Sequence, residues 1–270
     1  MCGRYAASRD PGQLVEEFEV DETADPGPGT DAGALPPDYN VAPTRSVPVI
    51  LERVRRVEQP VPAPAPGPEA GTPDQEPGGA AGQEPLGLPG QERTSSTIRW
   101  LRLFRWGLVP SWAKDGAVAQ RMINARAETL FERPSYRRPA LARRCLVPAD
   151  GWYEWRTVPG TSGAGARGRR QPYFLHAADG TGLAFAGLYE FWRDRALPED
   201  DPGAWLASVV IVTTEAEDAL RAVHDRMPMV LPRDRWDRWL DPRSVRSPRY
   251  ATCCHPCRRD VSWPVRCRRP

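Results

Sequence analysis

The cysteine at position 2, directly behind the initiator methionine, offers chemistry that no internal residue can. Removal of Met1, favoured when the next side chain is small, leaves Cys2 with a free α-amine and a thiol on adjacent carbons. The amine titrates near ~8 and the thiol near ~8.5, so both nucleophilic forms are within reach at neutral pH. Such a 1,2-aminothiol meets an aldehyde in two steps. The amine condenses to a Schiff base with loss of water, and sulfur then closes a five-membered thiazolidine ring. A cysteine at residue 2 also arises by accident, so the rest of the chain has to supply its partners.

Three further segments set polar residues among apolar ones. The chain has only two asparagines, Asn40 in Tyr39-Asn40-Val41-Ala42-Pro43 and Asn124 in Met122-Ile123-Asn124-Ala125-Arg126. In a composition that otherwise avoids asparagine, each is there either for its amide as a chemical group or as a turn and cap residue. Asp150-Gly151 reads as a turn, and the aromatic run Trp152-Tyr153-Glu154-Trp155 after it as a strand. Alternation puts Trp152 and Glu154 on one face, Tyr153 and Trp155 on the other. A carboxyl among aromatics is partly desolvated, which raises its pKa and suits it to hold or donate a proton near neutrality; the plain alternative is a surface Glu paired with an Arg. Finally, His224-Asp225-Arg226 follows a helical stretch. Histidine titrates near neutrality, Asp225 could orient its ring and Arg226 could meet a phosphate, although a His at a helix end also caps the last carbonyls.

The elements that must position these groups are mostly strands. Runs rich in Val, Ile, Trp, Tyr and Phe, bounded by turn residues, predict strands at 47–54, 98–104, 144–147, 152–156, 173–176, 183–191 and 208–213. Helices are predicted at 13–18, at 127–133 (ended by Pro134), at 215–223 and at 233–240, the last with Trp236 and Trp239 on one face. Scattered helices among dominant strands argue an α+β fold on a mostly antiparallel sheet rather than a doubly wound one. Residues 60–92 are nearly half Pro and Gly without an aromatic; such a stretch cannot bury enough apolar surface to offset its ordering entropy, and is expected to be a disordered insertion between two strands. A shorter insertion is expected at 160–170, and a loop at 194–203. One domain over 1–243 and an Arg- and Cys-rich tail over 244–270 complete the reading.

Composition narrows the function classes. The formal net charge is only +2, and Lys114 is the sole lysine among the cationic residues, so no single Arg is strong support for phosphate binding. No apolar run approaches a membrane span, and Met-Cys-Gly-Arg-Tyr has no apolar signal region. The expectation is a cytoplasmic protein in a compartment that keeps thiols reduced, without cofactor and monomeric.

Taken in order, CGRY, YNVAP, WGLVPSW, NARAE, DGWYEW, GLYEFW, VTT and HDRMP resemble the motifs of the SRAP family, proteins that process abasic sites and crosslink to damaged single-stranded DNA. The resemblance runs from Cys2 to about Asp241. It implies the SRAP fold, with a curved, barrel-like sheet, and a covalent thiazolidine between Cys2 and the ring-opened sugar aldehyde of an abasic site. On the matching positions it implies that Asn124 orients Cys2 and the sugar. Glu154 would move protons, and His224 would contact the opened sugar or the adjacent phosphate. Arg4, Arg126 and Arg226 would line the DNA groove, with Asn40, Pro43 and Thr213 near the bound strand. Trp112 would be an aromatic shelf beside the lesion, followed here by Ala113 where some relatives carry a second aromatic; Trp155 is counted with the DNA-contacting residues. The implied partner is single-stranded DNA or a single-strand/duplex junction. A peptidase-like removal of the N-terminal residue is also implied, although ordinary aminopeptidase action suffices for one Met.

Two other readings compete. N-terminal-nucleophile glutamine amidotransferases also expose Cys2, but they normally supply an Asn-Gly pair for the oxyanion hole, and this chain has no Asn-Gly dipeptide. A zinc module could use Cys253, Cys254, His255, Cys257 and Cys267, but a second pair at the usual spacing is missing.

Overall fold

The computed structural model describes residues 2–23, 36–55, 97–158 and 169–243, together with the backbone of 265–268. The segment at 60–92, the cysteines and histidine at 253–257, and most of the shorter insertion lie outside the described residues. In chain order the strands are β1 (Tyr5–Ala7), β2 (Glu22–Thr23), β3 (Asp38–Val41), β4 (Ser46–Val54), β5 (Thr97–Trp106), β6 (Asn124–Arg126), β7 (Arg144–Ala149), β8 (Gly151–Val158), β9 (Arg169–Ala177), β10 (Leu183–Arg193), β11 (Trp205–Glu215), β12 (Arg226–Pro228) and β13 (Val265–Arg268). The helices are α1 (Pro11–Glu17), α2 (Pro134–Ala142), α3 (Asp218–Arg221) and α4 (Trp236–Leu240).

Five strands close on themselves. β4 pairs antiparallel with β5 and with β7, β7 with β10, and β10 with β11. β11 then returns to β5 in parallel, Ser208 opposite Arg105 and Val209 opposite Trp106, which completes a barrel. Alternation decides what each strand buries. Val49, Leu51, Phe104, Cys145, Tyr189, Val209 and Ile211 share the inner cluster. Ile50, Leu101, Leu146, Leu188 and Val210 face outward, onto Leu14 and Phe18 of the α1 region, Tyr136 of α2 and Trp236 and Trp239 of α4. Burial on both faces is why these strands read as nearly continuous apolar runs.

A second sheet, in the order β13-β9-β8-β1-β3, covers one end of the barrel. Tyr5 sits opposite Trp152 in the β1–β8 pair. Its ring lies edge-on to Trp106 at 5.2 Å and to Phe185 at 6.0 Å, and Trp152 meets Phe185 at 6.0 Å. Cys2, just upstream of Tyr5, is thereby pinned where the two sheets meet.

The predicted mixed, mostly antiparallel and barrel-like architecture is what forms, with local differences. The helix predicted at 127–133 is only a 3₁₀ turn, Ala127–Thr129, and the helix proper begins at Pro134. Proline lacks an N–H, which matters little at the first helical position, so Pro134 starts a helix here instead of ending one. The stretch predicted at 215–223 shortens to α3, because Glu215 is still paired in β11. Arg169 and Arg170, read as insertion, belong to β9. Val265–Arg268, within the stretch read as tail, forms β13 against β9. Among the described residues no helix is long and apolar enough to cross a membrane.

Candidate active site

Cys2 is completely buried. Its Sγ lies 3.8 Å from the Arg4 carbonyl oxygen. Burial first, and then the negative charge of Glu154, push the thiol far above its ordinary pKa, so it is held as the neutral S–H. Asn124 reaches it from another part of the chain: its Nδ2 donates to the Cys2 carbonyl at 2.8 Å. β6, which carries Asn124, is laid down parallel to β11 with Asn124 opposite Ile211. The Tyr136 hydroxyl donates to the Asn124 carbonyl at 3.4 Å. Asn124 Oδ1 is buried without a hydrogen-bond partner among the described residues, an acceptor left for an incoming donor.

Glu154 follows the predicted alternation. With Trp152 it faces inward, only 3 % exposed, while Tyr153 and Trp155 turn outward and are partly exposed. Burial raises its carboxyl pKa, against the opposing pull of His224. The same electrostatic links place Glu154 beside both Cys2 and His224. His224 stands half-buried in the turn after α3. Its Nδ1 is 2.7 Å from Asp225 Oδ1 and 3.0 Å from the Arg226 backbone N–H. Thus Cys2, Asn124, Glu154 and His224, spread over the chain, converge on one place.

The sequence matches the family described as SOS response associated peptidase (SRAP) over residues 1–267. The chain belongs to the SRAP family. It is 30% identical over 245 residues to the abasic site processing protein YoqW of Bacillus subtilis, covering 91% of this chain and 82% of that one. To YoaM of the same organism, also named an abasic site processing protein, it is 30% identical over 250 residues, covering 93% and 83%. The rat abasic site processing protein HMCES is 29% identical over 204 residues, covering 65% of this chain and 54% of its own. Among solved structures, a Bacteroides thetaiotaomicron protein shares the fold with a TM-score of 0.62 at 22% identity, covering 94% of this chain and 86% of that one.

The remaining SRAP motif residues divide by what their side chains are already doing. Arg4 Nη1 donates to Asn40 Oδ1 at 3.0 Å, and the Asn40 N–H is turned by Asp38 Oδ1 at 2.9 Å, so the first two motifs form one rim. Pro43 leads into Thr44, whose φ of 74° makes the turn that lets its N–H reach the Trp106 carbonyl at 2.8 Å. Arg126 is exposed at the end of β6, and Trp112 stands 64% exposed. Trp155 lies on the outer face of β8 opposite Pro172. Thr213 is different: it is buried, and its hydroxyl lies 3.4 Å from the Ala125 carbonyl, so it holds β6 in place and offers no open surface. Arg226 is also committed. It grips Glu128 with two hydrogen bonds, of 2.8 and 2.9 Å, and donates to the Thr213 carbonyl at 2.8 Å. Burial works against the charge on Glu128, yet the bonds from Arg226 prevail and its carboxyl titrates below the ordinary value. A phosphate reaching Arg226 would have to compete with that bidentate partner. Glu128 went unremarked within NARAE, because nothing local ties it to a residue 98 positions away. Tyr136 was missed for the same reason, sitting in a helix the sequence reading ended before it began.

Proposed function

We propose that this protein processes abasic sites in DNA by capturing them covalently through Cys2 once Met1 is removed. The observation that carries this reading is the bond from Asn124 to the Cys2 carbonyl, which fixes the residue bearing amine and thiol beside a buried carboxyl of raised pKa. The names of the Bacillus and rat relatives supply the lesion.

The chemistry balances with the groups present. The Cys2 amine adds to the sugar aldehyde to give a carbinolamine. Glu154, whose burial favours the protonated form, gives its proton to the carbinolamine hydroxyl, which leaves as water. The resulting iminium carbon is attacked by the Cys2 sulfur. The thiol proton, retained until then because the thiol is buried, passes to the Glu154 carboxylate. A thiazolidine with a neutral ring nitrogen remains, and Glu154 is again protonated. One water is lost overall. Asn124 Oδ1 is free to accept from a sugar hydroxyl, and His224 stands at the partly open side, where a second hydroxyl or a phosphate would arrive. Single-stranded DNA is the substrate form this reading favours, since an exposed Trp112 can stack on any base and phosphate contacts carry no sequence information. A monomer acting in the cytoplasm is part of the same proposal.

The test is incubation with an oligonucleotide carrying one abasic site. A heat-stable adduct is expected whose mass equals mature protein plus DNA minus one water. Cys2→Ala should give no thiazolidine. A full yield of stable adduct from Cys2→Ala, or from protein that keeps Met1, would overturn the proposal.

A further inference from the structure

The barrel has a second mouth, away from Cys2. Phe185 of β10 lies at the end capped by Tyr5 and Trp152. Phe191 follows six residues later on the same face, about 20 Å further along at the usual strand rise. Around that far rim the inward-facing positions become cationic. Arg53 ends the inner row of β4, its guanidinium 5.3 Å from the centre of the Phe191 ring. Arg102 shares a face with Phe104 on β5, and Arg143 leads into β7 with its carbonyl accepting from the Tyr189 N–H at 2.9 Å. Arg193 follows Phe191 on β10 and pairs across the ladder with Trp205 of β11, which is 57% exposed.

These charges are paired only in part. Glu190 meets Arg143, and the β10–β11 connection that leaves this rim carries Asp194, Glu199, Asp200 and Asp201. Arg53, Arg102 and Arg193 meet no carboxylate among the described residues, and Arg193 Nε is buried without a hydrogen-bond partner. Burial and then Arg53 hold the Arg102 guanidinium below its ordinary pKa; burial, then Arg138, with a smaller part from Arg53, does the same to Arg143. Folding has gathered like charges from several separate strands and left an aromatic ring open beside them. An arginine-rich composition puts Arg at many positions, but it does not bring them to one rim.

We propose that this mouth is a second contact for single-stranded nucleic acid, with guanidinium groups on phosphates and the Trp205 ring beneath a base. Paired arginine and exposed aromatic groups are what a strand without base readout needs. Continuity points to the same occupant: the loop carrying Trp112 is tied to this rim by the bond from Trp192 Nε1 to the Ala113 carbonyl, at 2.8 Å. The choice of nucleic acid rests on the reading of the protein as DNA-binding, whereas the test below does not use the lesion.

The experiment compares undamaged oligothymidylate of about 5 and about 20 nucleotides by fluorescence anisotropy, a span chosen to bracket one and two contacts. The protein is wild type, Arg53→Gln/Arg102→Gln, and separately Trp205→Ala; Arg53 and Trp205 are exposed, so both variants should fold, and thermal unfolding checks this. Wild type should bind the long strand at least about tenfold more tightly than the short one, the gain of one stacked base and its phosphates. Each variant should lose most of that gain. The double variant's slope of log K against log salt should flatten by about 0.7 per arginine removed. Adduct yield on a short abasic strand should not change. An unchanged length dependence and salt slope in folded variants would overturn the proposal. So would inorganic phosphate binding at this mouth with no preference for the oligonucleotide. Loss of the lesion chemistry with the length dependence intact would instead sink only the capture reaction.

Discussion

Glu154 is the residue on which the proposed proton transfers turn, and its burial makes a prediction of definite sign. Its folded-state pKa is raised, so between the ordinary carboxyl value and the folded one the native protein holds a proton that the unfolded chain has released. Stability therefore falls as pH climbs through that window. Glu154→Gln should unfold at the same temperature as wild type below about pH 4, where both states of the wild type are protonated. Toward neutral pH the variant should become the more stable of the two. The same substitution should slow adduct formation roughly a hundredfold or more, the usual worth of a positioned acid–base group, while DNA affinity changes little. Unfolding curves at two pH values and single-turnover adduct kinetics read the two halves separately, and equal losses in rate and binding would argue against proton transfer. His224 carries a related ambiguity resolved by its protonation. Nδ1 can accept from the Arg226 N–H only when unprotonated, and can donate to Asp225 only when protonated. The ring thus keeps one anchor whether or not Nδ1 carries a proton.

At the scale of elements, the site depends on how β5 hands over to the loop that carries Trp112. Gly107 ends the strand at φ 119°, a backbone region closed to other residues, and its N–H donates to the Val209 carbonyl at 2.8 Å. A Cβ there would lie 2.5 Å from the Ala119 carbonyl oxygen. Gly107→Ala should cost about 1–3 kcal/mol from backbone strain alone, with the clash added, measurable by denaturant unfolding. A variant as stable as wild type would show that the turn is not fixed by this residue. Much of this level could be read before the fold was known. The strands announced themselves by β-branched and aromatic runs, and alternation through 152–155 correctly put Glu154 on the face of Trp152, because both are local properties of an extended chain. The parallel pairing of β5 with β11 could not be read. It joins residues about a hundred positions apart and leaves no local periodicity, so the strand pattern gave an antiparallel sheet and only the family resemblance made it curved, without showing where it closes. The grip of Arg226 on Glu128 escaped for the same reason, and with it the fact that a guanidinium expected at phosphate already has a partner. Pro134 misled in a simpler way, since proline is equally at home just after one element and at the first turn of the next.

The whole molecule is a closed barrel with a second sheet over one end, and Cys2, the residue proposed to capture the lesion, sits in the seam between them. That arrangement makes the connections leaving the far rim expendable to the reaction. The insertion at 60–92 lies in the connection from β4 to β5, which leaves the barrel at that rim, and it is rich in Pro and Gly and free of aromatic residues. Deleting it should leave Cys2, Asn124, Glu154 and His224 where they are, with abasic-site capture at the wild-type rate. Stability should change little and in the favourable direction, because closing a loop several times shorter saves roughly 1 kcal/mol of chain entropy. The outcome also separates the two ends of the barrel. Residues 60–92 are acidic, carrying Glu69, Asp74, Glu76, Glu84 and Glu92 and no Arg or Lys, and the chain enters them shortly after Arg53. Removing most of that negative charge should strengthen binding of undamaged single strands at low salt while leaving the capture rate alone. A folded deletion that no longer captures lesions would place part of the reaction in the insertion, and contradict the division of labour between seam and rim.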